Sequence, residues 1–254
     1  MAMAAIESGA PAEGAEVEAQ YFDALVASEG DFNPFADRAW DRLRRRFVEF
    51  AEPAMVSRIL DVGCGTGQSR QLYAEHAAEY VGVDLADHAL DVARKRFPRD
   101  TWTRADARQL PFGDASFDIV AFSSVLHHIP DFEVALKEAF RVLRPGGVAF
   151  AFDPNLLHPA MALFRYPKSP LYSSRGVSPN EAPLRPRRLR DAFEGAGFVA
   201  IRQRAQSDLA YRQVAPTLLN ACLGAYNVAD RWFERLGFGR WFGTFVITSG
   251  RRPE

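Results

Sequence analysis

The chain has 254 residues, of which 48% are apolar, 25% charged and 12% aromatic, and its formal net charge is -1. That length and apolar fraction suit a globular chain with a full core and exclude collagen-like, intrinsically disordered and disulfide-scaffold classes. Two distant cysteines, Cys64 and Cys222, make neither a zinc cluster nor a disulfide framework, which points to a reducing compartment.

Residues 1–20 are rich in Ala, Gly and Glu, and no Lys or Arg occurs before Arg38. A secretory signal needs a basic start and an apolar core, so this stretch reads instead as a flexible acidic tail. No apolar run approaches the roughly 18–20 residues of a membrane span, and the protein is expected in the cytoplasm.

Helical patterns cover 21–28 and 36–51. A short apolar strand at 56–62 then runs into a Gly-rich turn. A helix is expected at 68–79, a strand at 80–84, a helix at 87–97 and a weaker strand at 101–104. The run 117–123 is a fourth strand. Residues 132–143 carry apolar side chains at helical spacing and stop at Arg144-Pro145-Gly146-Gly147, before a fifth strand at 148–152. Strands alternating with helices predict an α/β, Rossmann-like doubly wound sheet, mostly parallel.

The rhythm breaks between Pro154 and Pro186, where seven prolines occur, and this length of irregular chain suits a substrate lid. It resumes with a helix at 189–194 and a strand at 198–204. A long helix follows, with apolar residues at 218, 222, 225, 229, 232 and 236, alternate steps of four and three. Such a stripe reads first as core and second as a peripheral membrane contact, with Trp232, Phe233, Trp241 and Phe242 nearby. A last strand is expected at 245–248. The expected organisation is a tail at 1–20 and one domain at 21–254, with cap insertions at about 154–186 and 207–241.

The most informative string is Ile59-Leu60-Asp61-Val62-Gly63-Cys64-Gly65-Thr66-Gly67. Glycines at a strand-to-helix turn let the backbone come close to a ligand and aim amides at it. The dinucleotide fingerprint wants its third Gly where Gln68 stands, and here Gly67 comes one residue early. Asp84 ends the second strand, where a carboxylate can accept both hydroxyls of a ribose. Asp106 follows the third strand, in reach of an adenine amino group, with the Ala107 amide facing the ring.

With Gly82-Val83-Asp84, Ala105-Asp106, Leu110-Pro111-Phe112, Ser116-Phe117-Asp118-Ile119-Val120, Leu126-His127-His128-Ile129 and Arg141-Val142-Leu143-Arg144-Pro145-Gly146-Gly147, the sequence resembles the class I S-adenosylmethionine-dependent methyltransferases that modify small molecules. The resemblance runs over about 56–153. It implies a seven-stranded sheet with an antiparallel last strand, and S-adenosylmethionine as cofactor. It implies cofactor contacts at Asp61, Gly63, Cys64, Gly65, Gly67, Asp84, Leu85, Asp106, Ala107 and Ser123, with Tyr21 on an early helix closing over the ligand or simply packing. The other readings are a non-catalytic nucleotide- or cofactor-binding module, an NAD-dependent oxidoreductase and an RNA methyltransferase. The early Gly67 and Asp106 speak against NAD. Neutral charge without a basic-aromatic module speaks against nucleic acid.

Methyl transfer needs mainly alignment and exclusion of water, with a general base only where the acceptor loses a proton early. His128 and His127 follow the fourth strand and are the candidate bases; the alternative is that both are packed, hydrogen-bonded residues, and only one is expected to face an acceptor. Asp153, Asn155 and Glu181 are read as orienting an acceptor or bracing the loop. The run Arg185-Pro186-Arg187-Arg188-Leu189-Arg190 is a solvated helix start or, with Arg165 and Arg175, a cationic rim for an anionic or lipid-linked small-molecule acceptor. No His/Cys/Asp cluster has metal spacing.

Overall fold

The computed structural model describes residues 13–30, 33, 35–55, 57–172, 177–209, 211–212 and 221–254. Seven strands form one sheet: β1 (Ser57–Val62), β2 (Ala77–Asp84), β3 (Thr101–Arg104), β4 (Phe117–Ser123), β5 (Leu143–Pro154), β6 (Val199–Gln206) and β7 (Phe245–Arg251), in the order β3-β2-β1-β4-β5-β7-β6. β1 to β5 are parallel, and β7 runs antiparallel to both β5 and β6. The expected doubly wound architecture and antiparallel last strand are therefore present.

Successive strand residues point to opposite faces, so each face of the sheet buries its own layer. Leu60, Val83, Val120 and Phe122 join one layer, beneath α5 (Phe132–Val142) and α7 (Pro186–Gly195). Ile59, Tyr80, Ile119 and Phe150 join the other, beneath α2 (Asp37–Ala51) and α4 (Asp87–Arg96). In α5 the buried residues are Phe132, Ala135, Leu136, Ala139 and Val142, the three-and-four spacing of a one-sided helix. Leu136→Ala there would cost roughly 2–5 kcal/mol. The chain order reverses beside β1, whose two neighbours are β2 and β4, and such a switch point opens a crevice at the strands' carboxyl ends.

Several expectations are corrected. The first helix, α1, spans Glu13–Glu29 rather than starting at Tyr21, and it buries Glu18 and Ala19, so 13–20 are not a tail. Residues 1–12 lie outside the described part. The helix expected at 68–79 shrinks to α3 (Arg70–Tyr73), because Ala77 already pairs with Ser57 as the start of β2. The Pro-rich stretch contains a short helix, α6 (Pro159–Phe164), with Pro in its first turn and His158 as its cap.

The largest reversal concerns α8 (Leu223–Arg235), which is followed by α9 (Gly239–Phe242). Residues 222, 225, 229, 232 and 236 of the expected core stripe are all exposed, while position 218 lies outside the described residues. The helix instead turns its polar side inward. Asp230 is buried and accepts from the Asp208 amide, Asn227 pairs with the Tyr211 backbone, and Glu234 accepts from Arg204.

Candidate active site

A cavity of about 930 Å³ opens at the carboxyl ends of β1, β2 and β4, with α1 contributing Glu18, Tyr21 and Phe22 to its wall. α1 is tied down by Arg104 on Glu16 (3.1 Å) and by the Asp23 carboxylate, which accepts from the His88 amide (2.8 Å).

At one end lies the turn after β1. The Gly63 and Cys64 amides both donate to the Val83 carbonyl, at 2.8 and 3.1 Å, which ties the turn to β2. Gly63 has φ +70°, and a Cβ there would come 2.2 Å from Val125, so only glycine fits. Gly65 is the opposite: nothing lies within 4 Å of where its Cβ would be, and its face is open to the cavity. Its amide donates to Asp84 Oδ2 (2.8 Å), and the Ala86 amide donates to Oδ1 (2.9 Å). Burial raises the Asp84 carboxyl above its ordinary range, and these amides pull it partly back. Asp106 is held by Arg108, whose guanidinium donates at 2.7 and 3.0 Å and also reaches Asp131. Leu85, Ala107, Ser123 and Tyr21 line the same cavity.

Two residues of the expected cofactor set do not reach that wall. Gly67 is a packing glycine, since a Cβ there would meet Trp102 at 2.8 Å. Asp61 is fully buried behind the turn, where it accepts from Ser69, Tyr80 (2.7 Å) and Ser123 (2.8 Å). Burial pushes its carboxyl up to about 6 in spite of these donors. Cys64 does line the cavity, but burial and the nearby Asp84 and Asp61 charges raise its thiol pKa well above the usual value, so it is no thiolate nucleophile.

The other end carries both histidines, which stand side by side on the turn Leu126–His128 with ring centres 3.9 Å apart. Both histidines line the cavity. His127 Nδ1 lies 2.8 Å from Asp153 Oδ1, which also accepts the His127 amide (3.1 Å). Burial lifts the Asp153 carboxyl above its ordinary range, and these contacts oppose that. His128 Nδ1 lies 2.8 Å from Ser178 Oγ and 2.8 Å from Glu18 Oε1, and Ser178 donates to the same Glu18 oxygen. Burial and neighbouring His127 lower the His128 pKa, and Glu18 draws it back up. For Glu18, burial raises the carboxyl, but the His128 and Ser178 hydrogen bonds outweigh it and hold the group low. With Nδ1 committed to a carboxylate, each ring keeps Nε2 as its second functional nitrogen.

Beyond the histidines the wall is aromatic: Phe22, Phe35, Trp40, Phe152, Tyr211 and Phe245. Trp40 Nε1 is buried there without a hydrogen-bond partner. Glu181 lines the cavity, whereas Asn155 is buried outside it, bracing the loop by donating to Gly243 O (2.8 Å). Arg165 lines the cavity; Arg185 lies instead in a surface groove with Glu133 and Arg188, and Arg175 is outside the described residues. Glu18 and Ser178 were not singled out from the sequence. The signal for Glu18 was the helical spacing of 18, 22, 25 and 26, all on the cavity wall. Among the described residues no group of three or more His, Cys, Asp or Glu is placed to hold a metal ion.

Residues 60–151 match the family described as a methyltransferase domain. The chain is 31% identical over 203 residues to a ubiquinone/menaquinone biosynthesis C-methyltransferase of Desulfotalea psychrophila, covering 71% of this chain and 81% of that one. It is 38% identical over 130 residues to a demethylmenaquinone methyltransferase of Streptomyces griseus, covering 51% of this chain and 56% of the relative's length. In fold it is similar to phosphoethanolamine N-methyltransferase 2 of Haemonchus contortus, solved with phosphomonomethylethanolamine and S-adenosylhomocysteine. The TM-score there is 0.68 at 17% identity, over 96% of this chain and 61% of the other.

Proposed function

The chain belongs to the S-adenosylmethionine-dependent methyltransferases, and we propose that it transfers a methyl group to a small, largely apolar acceptor with a group that loses a proton. The observation that carries this reading is the pair of histidines on one cavity wall, each with Nδ1 on a buried carboxylate, facing the same space as the Gly65 turn and Asp84.

The residues present fit the cofactor. The open face of Gly65 leaves room for close approach, and Asp84 offers a desolvated carboxylate to a ribose. Asp106 and Ala107 stand where an adenine would be read. Asp61 and Gly67 act from behind, one by fixing Ser123 and the other by seating Trp102. S-adenosylmethionine supplies a methyl group on a sulfonium, a leaving group that needs no further activation.

The chain's own part is to align the acceptor, exclude water and take a proton. The aromatic wall holds an apolar ring or chain. His128 receives the acceptor proton at Nε2, because its lowered pKa keeps it neutral and Glu18 stabilises the charge it gains. His127, locked by Asp153, fixes the neighbouring ring. Since Glu18 belongs to α1 and Ser178 to the segment before α7, the base is complete only when this cap is closed. We read α1, the 154–186 segment and the α8–α9 region as a cap on one domain. Free cysteines, Cys64 buried and Cys222 exposed, fit a cytoplasmic setting.

The test is to incubate the protein with a cell extract and isotopically labelled S-adenosylmethionine, and to follow labelled products by mass spectrometry. A labelled small molecule with matching S-adenosylhomocysteine release is expected. Cofactor binding without any labelled product across extracts would favour a non-catalytic module, and label in RNA would move the acceptor class.

A further inference from the structure

The outer side of α8 and α9 carries a surface that the cavity does not use. Trp232, Leu236, Phe238 and Trp241 are 55, 67, 51 and 63% exposed, with Val228 and Phe242 beside them. A soluble helix normally buries its apolar stripe, and this one buries Asp230 instead. The apolar face is therefore outward because polar anchors hold the helix that way round, not because the helix is frayed. Contiguous exposed apolar surface of this kind marks an interaction site.

Charge decides what kind. Arg235 and Arg240 flank the face, the Arg235 guanidinium 5.2 Å from the Trp232 ring centre and that of Arg240 5.4 Å from Trp241, while Arg231 turns inward to Asp208. The acids of the two helices are Asp230 and Glu234, and both are turned inward, onto Asp208 and Arg204. What remains outside is aromatic, aliphatic and cationic, the composition of a surface that sinks rings to headgroup depth and sets Arg against anionic lipid. A second copy docked two-fold on this face would bring Arg against Arg without a compensating acid. Just inside, His158 at the start of α6 packs against Tyr226 and Phe233 of α8, and α6 with the residue that caps it supplies Met161 and Arg165 to the cavity wall. The face thus adjoins the acceptor end of the cavity.

We propose that the α8–α9 face docks on the surface of an anionic phospholipid bilayer. No described helix is long and apolar enough to cross a membrane, so contact here is peripheral. Docking is independent of methyl transfer and is read without turnover.

Full-length protein is mixed with vesicles of phosphatidylcholine plus phosphatidylglycerol, and separately with pure phosphatidylcholine, and co-sedimentation is measured across salt. Binding to the anionic vesicles, weakened by salt, is expected, with a blue shift of tryptophan emission. Removing each Arg should cost about fivefold, so Arg235→Glu with Arg240→Glu should lower partitioning about twenty-fold or more. Trp232→Ser with Trp241→Ser should abolish the emission shift, with S-adenosylmethionine binding intact as the check on folding. Absent binding, equal binding to both vesicle types, or full binding by the Arg variant would overturn the proposal. So would a concentration-dependent dimer in ultracentrifugation that the Trp variant dissolves, which assigns the face to a second copy.

Discussion

The two ends of the cavity are built on different plans. At the glycine-turn end, which we propose holds the cofactor, the polar atoms are tied by the chain's own neighbouring strand ends: Gly65 and Ala86 amides on Asp84, Arg108 on Asp106 two residues away. At the histidine end, one hydrogen-bonded group takes Glu18 from α1, His128 from the turn after β4 and Ser178 from the segment before α7. The first plan is complete in the bare sheet. The second exists only in the assembled tertiary structure, so its function is hostage to how the cap packs.

Variants at each end test that division. The largest effect is expected from Asp61→Ala, which leaves Ser69, Tyr80 and Ser123 without their shared buried acceptor. Chemical denaturation should show a loss of at least about 3 kcal/mol, from roughly 1 kcal/mol or more for each of the three stranded groups. A near-neutral result would mean that the sheet end does not depend on this buried network. Next, His128→Gln should lower turnover about 10²-fold while cofactor affinity stays unchanged. Unimpaired turnover in this variant and in His127→Gln would leave alignment and desolvation as the whole mechanism.

Asp84→Ala should do the converse, weakening S-adenosylmethionine by about 1–3 kcal/mol in calorimetry with the histidine pair undisturbed. Tighter binding of NAD than of S-adenosylmethionine by the unaltered protein would break the assignment of this end. The smallest and most diagnostic change is Glu18→Gln. The carboxylate stabilises imidazolium, so its loss should lower the His128 pKa further. Because the protonated ring cannot act as base, the acidic limb of the kcat/KM profile should move to lower pH. A limb that stays put would detach Glu18 from proton transfer.

How much of this was legible follows from the same contrast. A strand, a glycine turn and the acid ending the next strand are local events, so the succession of strands and the place of Asp84 at a strand end could be read from short strings. For Asp61 the string shows an acid before the turn, not that Ser69, Tyr80 and Ser123 close around it. Glu18 was hidden because an Ala- and Glu-rich stretch carries the composition of a solvated tail, and only burial against Ser178 and His128 gives it a role. The α8 stripe was legible as a stripe. Its direction was not, because periodicity fixes which residues share a face and says nothing about which face the anchors Asp230, Asn227 and Glu234 pull inward.

The position of β7 has a consequence for how the protein is made. Among the described residues β6 has β7 as its sole sheet neighbour, and β7 also covers the free side of β5. On a ribosome, residues 199–206 emerge long before 245–251, so β6 waits unpaired while some forty residues are synthesised, and β5 waits longer with one edge bare. Unpaired strand edges invite pairing with other nascent chains. Closure comes when β7 slots between them and Arg252 fastens onto the carbonyls of Phe140, Arg141 and Leu143. The parallel half of the sheet, with the glycine turn after β1, has all its strand partners before that, and translation therefore completes that half first and closes the β5–β7–β6 edge last.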